Sequence, residues 1–199
     1  TELQSSGFGG AAYGQAVQFR FGGAMAAARL GAVAALNRSA GGSQNRLAHT
    51  GSMGYTDGVP KIPGAAVSFE DAETIAHLAK AGKVKLHLTL TPQTLPDVES
   101  YNVIGDLKGT EKPDEVVIVS GHLDSWDLGQ GAIDDASGVA VSMAVAKVLV
   151  DMKIRPKRTI RVIAWMNEEN GGRGSAAYEK EESANIAKHF AAVEADLGA

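Results

Sequence analysis

The sequence predicts an α/β chain, a mixed and mostly parallel sheet flanked by helices, preceded by a smaller region of short strands and helices. Three observations carry this. Apolar runs rich in β-branched residues stand at 116–119, 158–165 and 190–193, as buried strands require. Helical patterns at about 136–151 and 173–189 separate them, the alternation expected of parallel strands joined by crossovers. Residues 92–100, with Pro92 and Pro96, divide this part from what precedes it. The expected domains are therefore 1–95 and 96–199. The sheet is expected to be mixed because 102–108 and 115–120 flank a polar turn with Pro113, a hairpin signal.

The first region, taken in order, opens on a Gly- and Ser-rich stretch, 1–12, expected to be loop. Residues 16–20 alternate and suggest a short strand. Residues 22–30 are Ala-rich and helix-prone. A short apolar run at 32–36 leads into a turn at 37–43, which holds a formal glycosylation sequon, Asn37-Arg38-Ser39. Such triplets are frequent by chance. Residues 41–63 read as loop, and 65–68 as a strand. Ser68 and Asp71 frame the start of a helix to about Ala81, with Ala72, Ile75, Ala76 and Leu78 inward and His77 at the surface. Residues 83–90 alternate as a half-exposed strand with His87 on the polar face. In the second region the helix from Ala136 sets Val139, Met143, Ala146 and Val150 on one side. The helix at 173–189 is highly charged and expected to lie outside.

Composition narrows the function. Hydrophobic residues at 44% and charged ones at 21% fit a globular protein with a core. A net charge of −4, with no basic stripe and interleaved aromatics, argues against nucleic acid. Zero cysteines exclude disulfides and thiolate metal sites. The apolar stretch 23–36 carries Arg29 and is too short to span a membrane. No signal segment is recognised, and a chain opening on Thr1 is expected to lack an upstream part.

The chemistry concentrates at 121–138, which holds one imidazole, four carboxylates and four glycines between a strand and a helix. His122 and Asp124 stand as H-x-D. An imidazole bound to a metal needs its other ring nitrogen held, commonly by a carboxylate. His122 thus reads as a ligand and Asp124 as its partner. Of Asp134 and Asp135, one can bridge two cations and the other can cap the helix that follows. The plainer alternative is a polar loop with an ordinary Asp cap. The second strand runs into Glu168-Glu169, where one carboxylate can ligate and the other can take a proton from water. The third runs into Glu194-Ala195-Asp196. Three successive strands thus end in metal-binding types, without thiolate, which suits zinc, manganese or cobalt. Trp126 reads as a packing anchor of the loop, and Asp127 has no assigned role. No nucleophile elbow and no phosphate loop is present.

The combination G-H-L-D-S-W-D-x-G-Q-G-A-x-D-D, N-E-E-N-G-G and E-A-D resembles the co-catalytic zinc peptidases of aminopeptidase Y and glutamate carboxypeptidase type. The resemblance covers nearly the whole chain. It implies that His122 and Asp196 bind one Zn²⁺ and Glu169 the other, that Asp134 bridges them, and that Glu168 is the general base. It implies a cis peptide between Asp134 and Asp135, and a protease-associated domain entered part-way over 1–95. It also implies a fifth ligand, a histidine well beyond the third strand. His49, His77, His87 and His189 do not stand there, so the chain reads as a fragment of a longer enzyme and by itself inactive. The implied activity is a metal-dependent exopeptidase, a dipeptidase of small unblocked peptides. An aminopeptidase of the same family and a non-catalytic binding module are the alternatives. Expected partners are small peptides, with a homodimer allowed and no nucleic acid or membrane. The implied location is secreted or periplasmic.

Overall fold

A computed structural model describes residues 9–40, 45–126 and 129–196, with the backbone alone at 9–12. Asp127, the end of the turn at 37–43 and residues 1–8 lie outside the described residues. The chain divides into two compact units, Thr1–Leu95 and Pro96–Ala199.

The first unit contains α1 (Gly9–Arg29), β1 (Ala35–Arg38), β2 (Gly64–Val67) and α2 (Phe69–Ala81). The strand expected at 16–20 is instead part of α1, as are residues 9–12. Five alternating residues satisfy either period, and the Ala-rich sequence that follows favours the helix. Ala24 and Ala28, four apart and so on one face, are buried. β1 and β2 pair in parallel, with Ala35 opposite Gly64. Ser39 of the sequon is buried, its hydroxyl donating to the Val67 carbonyl at 2.8 Å. Ser68 caps α2 by accepting the Asp71 N–H at 3.0 Å. The inward face expected of α2 is only half formed, for Leu78 is 51% exposed and no residue of the helix is fully buried. Residues 83–90 form no strand. Alternation alone makes no ladder without a partner to pair with.

The second unit is a four-stranded sheet of β3 (Val103–Leu107), β4 (Lys112–His122), β5 (Arg158–Trp165) and β6 (His189–Glu194), in the order β3-β5-β4-β6. β4 pairs in parallel with β5 and β6, and β3 runs antiparallel to β5. The sheet is therefore mixed and mostly parallel, as the sequence predicts, but not through the expected hairpin. β4 begins with an irregularity between Lys112 and Val116, where Pro113 removes a ladder donor. β5 takes the place beside β4, and β3 pairs on its outer edge, Asp106 opposite Arg161.

α3 (Ala136–Asp151) joins β4 to β5, and α4 (Arg173–Glu181) joins β5 to β6 through a 3₁₀ turn at Ser183–Lys188. The single helix expected at 173–189 is thus broken. The 3₁₀ turn rises about 2.0 Å per residue against 1.5 Å in an α-helix, which helps the chain reach the start of β6. Val116, Ile118, Ile163, Trp165 and Tyr178 form the core between the sheet and α4. α3 lies on the other face. It turns Gly138 and Ser142 inward, while Met143 and Val150 are 61% and 56% exposed, contrary to the expected face. The close approach described next sets this rotation.

Candidate metal centre

β4, β5 and β6 point their carboxyl ends the same way. The chain leaves β4 for one neighbour through α3 and reaches the other through α4. The carboxyl end of β4 is thus a topological switch point, where open α/β sheets form their crevice. His122 is the last residue of β4.

The His122 side chain is 1% exposed. Its Nδ1–H donates to the Asp124 carbonyl at 2.8 Å, which leaves the Nε2 lone pair free. Nε2 lies 3.1 Å from Asp134 Oδ1, 3.4 Å from Asp196 Oδ1 and 4.0 Å from Glu168 Oε2. A lone pair among carboxylate oxygens calls for positive charge, either a proton or a cation. Burial works to lower the imidazole pKa, but the Asp124 carbonyl and the charges of Asp196, Asp135 and Glu168 outweigh it and raise it.

The Asp134–Asp135 peptide is cis. The two side chains part company there. Asp135 is buried and caps α3, its Oδ1 accepting the Gly138 N–H at 3.0 Å and its Oδ2 the His122 N–H at 2.9 Å. Asp134 is exposed and faces the imidazole. The glycines around this contact admit no side chain. A Cβ at Gly121 would meet the backbone of Gly138 and Val139, and one at Gly138 would run into the Ala195 carbonyl. That contact draws the Gly138–Ser142 line of α3 inward.

Beyond β5 the chain turns at 168–171, with Asn167 at φ 68°. The Asp124 carboxylate accepts both leading N–H groups of this turn, from Glu168 at 2.9 Å and Glu169 at 3.1 Å. Asp124 thus serves His122 through its carbonyl, while its nearer carboxylate oxygen stays 3.8 Å from Nδ1. Burial first, then acidic neighbours, pushes the Glu169 carboxyl above its ordinary range. Glu168 and Asp196 are also raised, by burial first, and nearby acids add to it against the opposing pull of His122. Glu169 Oε1 is buried without a hydrogen-bond partner.

Two sets of donor atoms result, each within 4.8 Å. One is His122, Glu168 and Asp196, and the other is His122, Asp134 and Glu169. Nitrogen and oxygen donors, crowded carboxylates and an orphaned buried carboxylate oxygen together fit a divalent cation. Asn102 has no signal in the sequence. It holds the turn from the other side, accepting the Met166 N–H at 3.0 Å and donating to the Gly174 carbonyl at 2.8 Å. The remaining histidines belong to neither donor set. His189 meets the Tyr178 hydroxyl at 2.7 Å at the opposite end of β6, and His87 lies by Thr89.

Residues 102–199 match Peptidase family M28. Over 187 residues the chain is 45% identical to carboxypeptidase Q of Mus musculus, covering 94% of this chain and 40% of the mouse protein. Over 132 residues it is 33% identical to a probable leucine aminopeptidase 2 of Aspergillus oryzae, covering 66% of this chain and 26% of that protein. Among solved structures, a Peptidase M28 precursor from Shewanella amazonensis SB2B superposes with a TM-score of 0.84 at 43% identity, over 94% of this chain and 42% of its own. The chain thus spans about two fifths of the length of the carboxypeptidase relatives it matches. Among the described residues, no helix is long and apolar enough to cross a membrane.

Proposed function

We propose, for a chain that belongs to Peptidase family M28 through residues 102–199, that it forms the core of a metal-dependent exopeptidase acting on small unblocked peptides. The observation that carries this reading is the His122 Nε2 turned toward Asp134, Glu168 and Asp196, with Glu169, one of whose oxygens is buried without a partner, in the second donor set. His122 and Asp196 would hold one cation, Glu169 the other, and Asp134 would be shared between them. Divalent cations there, zinc first among them, would supply Lewis-acid polarisation of the scissile carbonyl and an acidified water.

The chain's own residues prepare the rest. Glu168 is a half-exposed carboxylate beside the imidazole, placed to take a proton from water and return it to the leaving amine. Its raised pKa moves it toward the working range of a base. Asp135 fixes the end of β4, and Asp124 fixes the imidazole through its carbonyl. The carboxypeptidase Q relatives support a carboxypeptidase, read as a carboxypeptidase Q-like dipeptidase. The leucine aminopeptidase relative supports the runner-up, an aminopeptidase. Residues 1–95 are read as part of a protease-associated domain, and the protein as secreted or periplasmic.

The test is peptide hydrolysis by the full-length gene product loaded with zinc, beside Glu168→Ala. A free dipeptide, an N-blocked dipeptide and an aminoacyl anilide serve as substrates. Cleavage of the free dipeptide alone supports the dipeptidase, and turnover of the anilide supports the aminopeptidase. Glu168→Ala is expected to lower kcat by about 10²–10⁴-fold while cations stay bound. If nothing is cleaved with cations bound, the peptidase reading fails and a binding module takes its place.

A further inference from the structure

We infer that Asp124 is the positioning residue of the Glu168–Glu169 pair, acting through its carboxylate on their backbone rather than on the imidazole. This rests on the metallopeptidase reading for its consequence in catalysis, but its geometry stands by itself. Both oxygens of one carboxylate are committed to consecutive N–H groups, at 2.9 and 3.1 Å. Hydrogen bonds to an ionised acceptor are among the stronger ones. The spacing H-x-D points to a contact between carboxylate and ring, yet that distance is 3.8 Å, and the ring proton goes to the carbonyl at 2.8 Å. The residue therefore separates two tasks that the motif suggests are one.

Toward the two glutamates, electrostatics gives the carboxylate no favourable role. Its charge adds to the raising of both glutamate pKa values, so it opposes their ionisation. What it contributes is direction. The turn must aim two adjacent side chains to different places, Glu168 toward His122 and Asp196, and Glu169 toward His122 and Asp134. Adjacent residues in a loop diverge reliably only if their peptide planes are fixed. Here Asp124 fixes them from the end of β4, and Asn102 fixes the turn's flanks from the edge strand. A base and a ligand set on consecutive residues are thus referenced to the strand that supplies the imidazole.

Two variants separate this from a role on the ring, since both keep the Asp124 carbonyl. Asp124→Asn keeps one side-chain acceptor, and Asp124→Ala keeps none. The first readout needs no activity. Amide hydrogen exchange of the cation-free full-length protein should quicken at Glu168 and Glu169, by about tenfold or more in Asp124→Ala and less in Asp124→Asn, with the core of β4 unchanged. The second is Co²⁺ titration followed by visible absorption. The site that includes Glu169 should lose about 10–100-fold in affinity in the same order, and the site of His122 and Asp196 should change little. The third is kinetic, a fall in kcat of similar size with KM within about threefold.

Unchanged exchange at both amides overturns the inference, and so does a weakening of the His122–Asp196 site as large as that of the Glu169 site, the mark of a misdirected His122. Should the wild type cleave no peptide, the function proposed above fails. The exchange and titration results still decide whether the clamp exists.

Discussion

Charge is handled in opposite ways at the two ends of β5. Near its start, Arg158 pairs with Glu115, and Arg161 forks onto Asp106 at 2.8 and 3.0 Å and reaches Tyr178 at 2.8 Å and Glu182 at 3.2 Å. Glu115, Asp106 and Glu182 each have a guanidinium partner there, and the Arg161 hydrogen bond holds Asp106 below the usual carboxylate range. Past its end, Glu168, Glu169 and Asp196 gather around one imidazole, and the charges that act on them most are other carboxylates and His122. Their carboxyls are all pushed upward. The same strand thus carries a finished ion-pair network at one end and an unbalanced cluster at the other. A fold left to stabilise itself removes like charges or pairs them. Where it does neither, the missing charge is supplied by something the site binds.

The comparison can be broken most severely at Asp135. Replacing it with alanine removes the α3 cap and leaves the buried His122 N–H without its acceptor. A loss of about 2–4 kcal/mol is expected in chemical denaturation. A change within about 0.5 kcal/mol would mean that the cap is dispensable. Next in size is the cation itself. Zinc at a hundred times its dissociation constant should stabilise the chain by about 2.7 kcal/mol, reversed by chelator and absent when Asp134 and Asp196 are both asparagine. Equal stabilisation of that double variant would place the cation elsewhere. Smaller again is Arg161→Ala, which leaves Asp106 with Lys108 alone and should cost about 2 kcal/mol, reduced from the buried-pair range because both groups keep some solvent and the lysine remains. A neutral result would make the network ornamental.

The two ends should also answer pH with opposite signs. Asp106 has a depressed pKa, so its contribution is present above its ordinary value of 3.8 and is lost as pH falls through the folded value. Glu168 and Glu169 have raised pKa values. Without a cation their folded forms are favoured below the ordinary 4.5, and that stability is lost as pH rises through the folded values. Melting of the cation-free chain across pH should therefore fall on both sides of the carboxylate range. Arg161→Ala should flatten only the acid limb, and added zinc only the other. A single slope common to all three samples would show that the ends are not electrically distinct.

Much of this was legible in the sequence. The three strands that end in chemistry, the helix beginning at Ala136 and the cap at Ser68 all follow from short-range patterns. Which of Asp134 and Asp135 caps the helix depends on which carboxylate reaches the helix's free N–H groups, a matter of backbone direction that spacing does not carry. What was misread depends on distant partners. β3 pairs with a strand about 55 residues onward, not with its neighbour, and its ladder with β5 includes the Asp106–Arg161 pair. Residues 83–90 have the alternation of a strand and nothing to pair with. The inward face of α3 is chosen by two glycines that allow close approach, not by its larger apolar residues. Asn102 looks like any strand-opening residue until the turn it holds is in view.

The bond from Asp135 to the His122 N–H bears on how the site moves. The first turn of a helix ordinarily frays at little cost, and fraying is a common source of local opening. Here, freeing the first turn of α3 means releasing the carboxylate that also secures the last residue of the central strand. The two events are expected to be coupled. The floor of the crevice is therefore expected to resist the local opening that frees most helix ends.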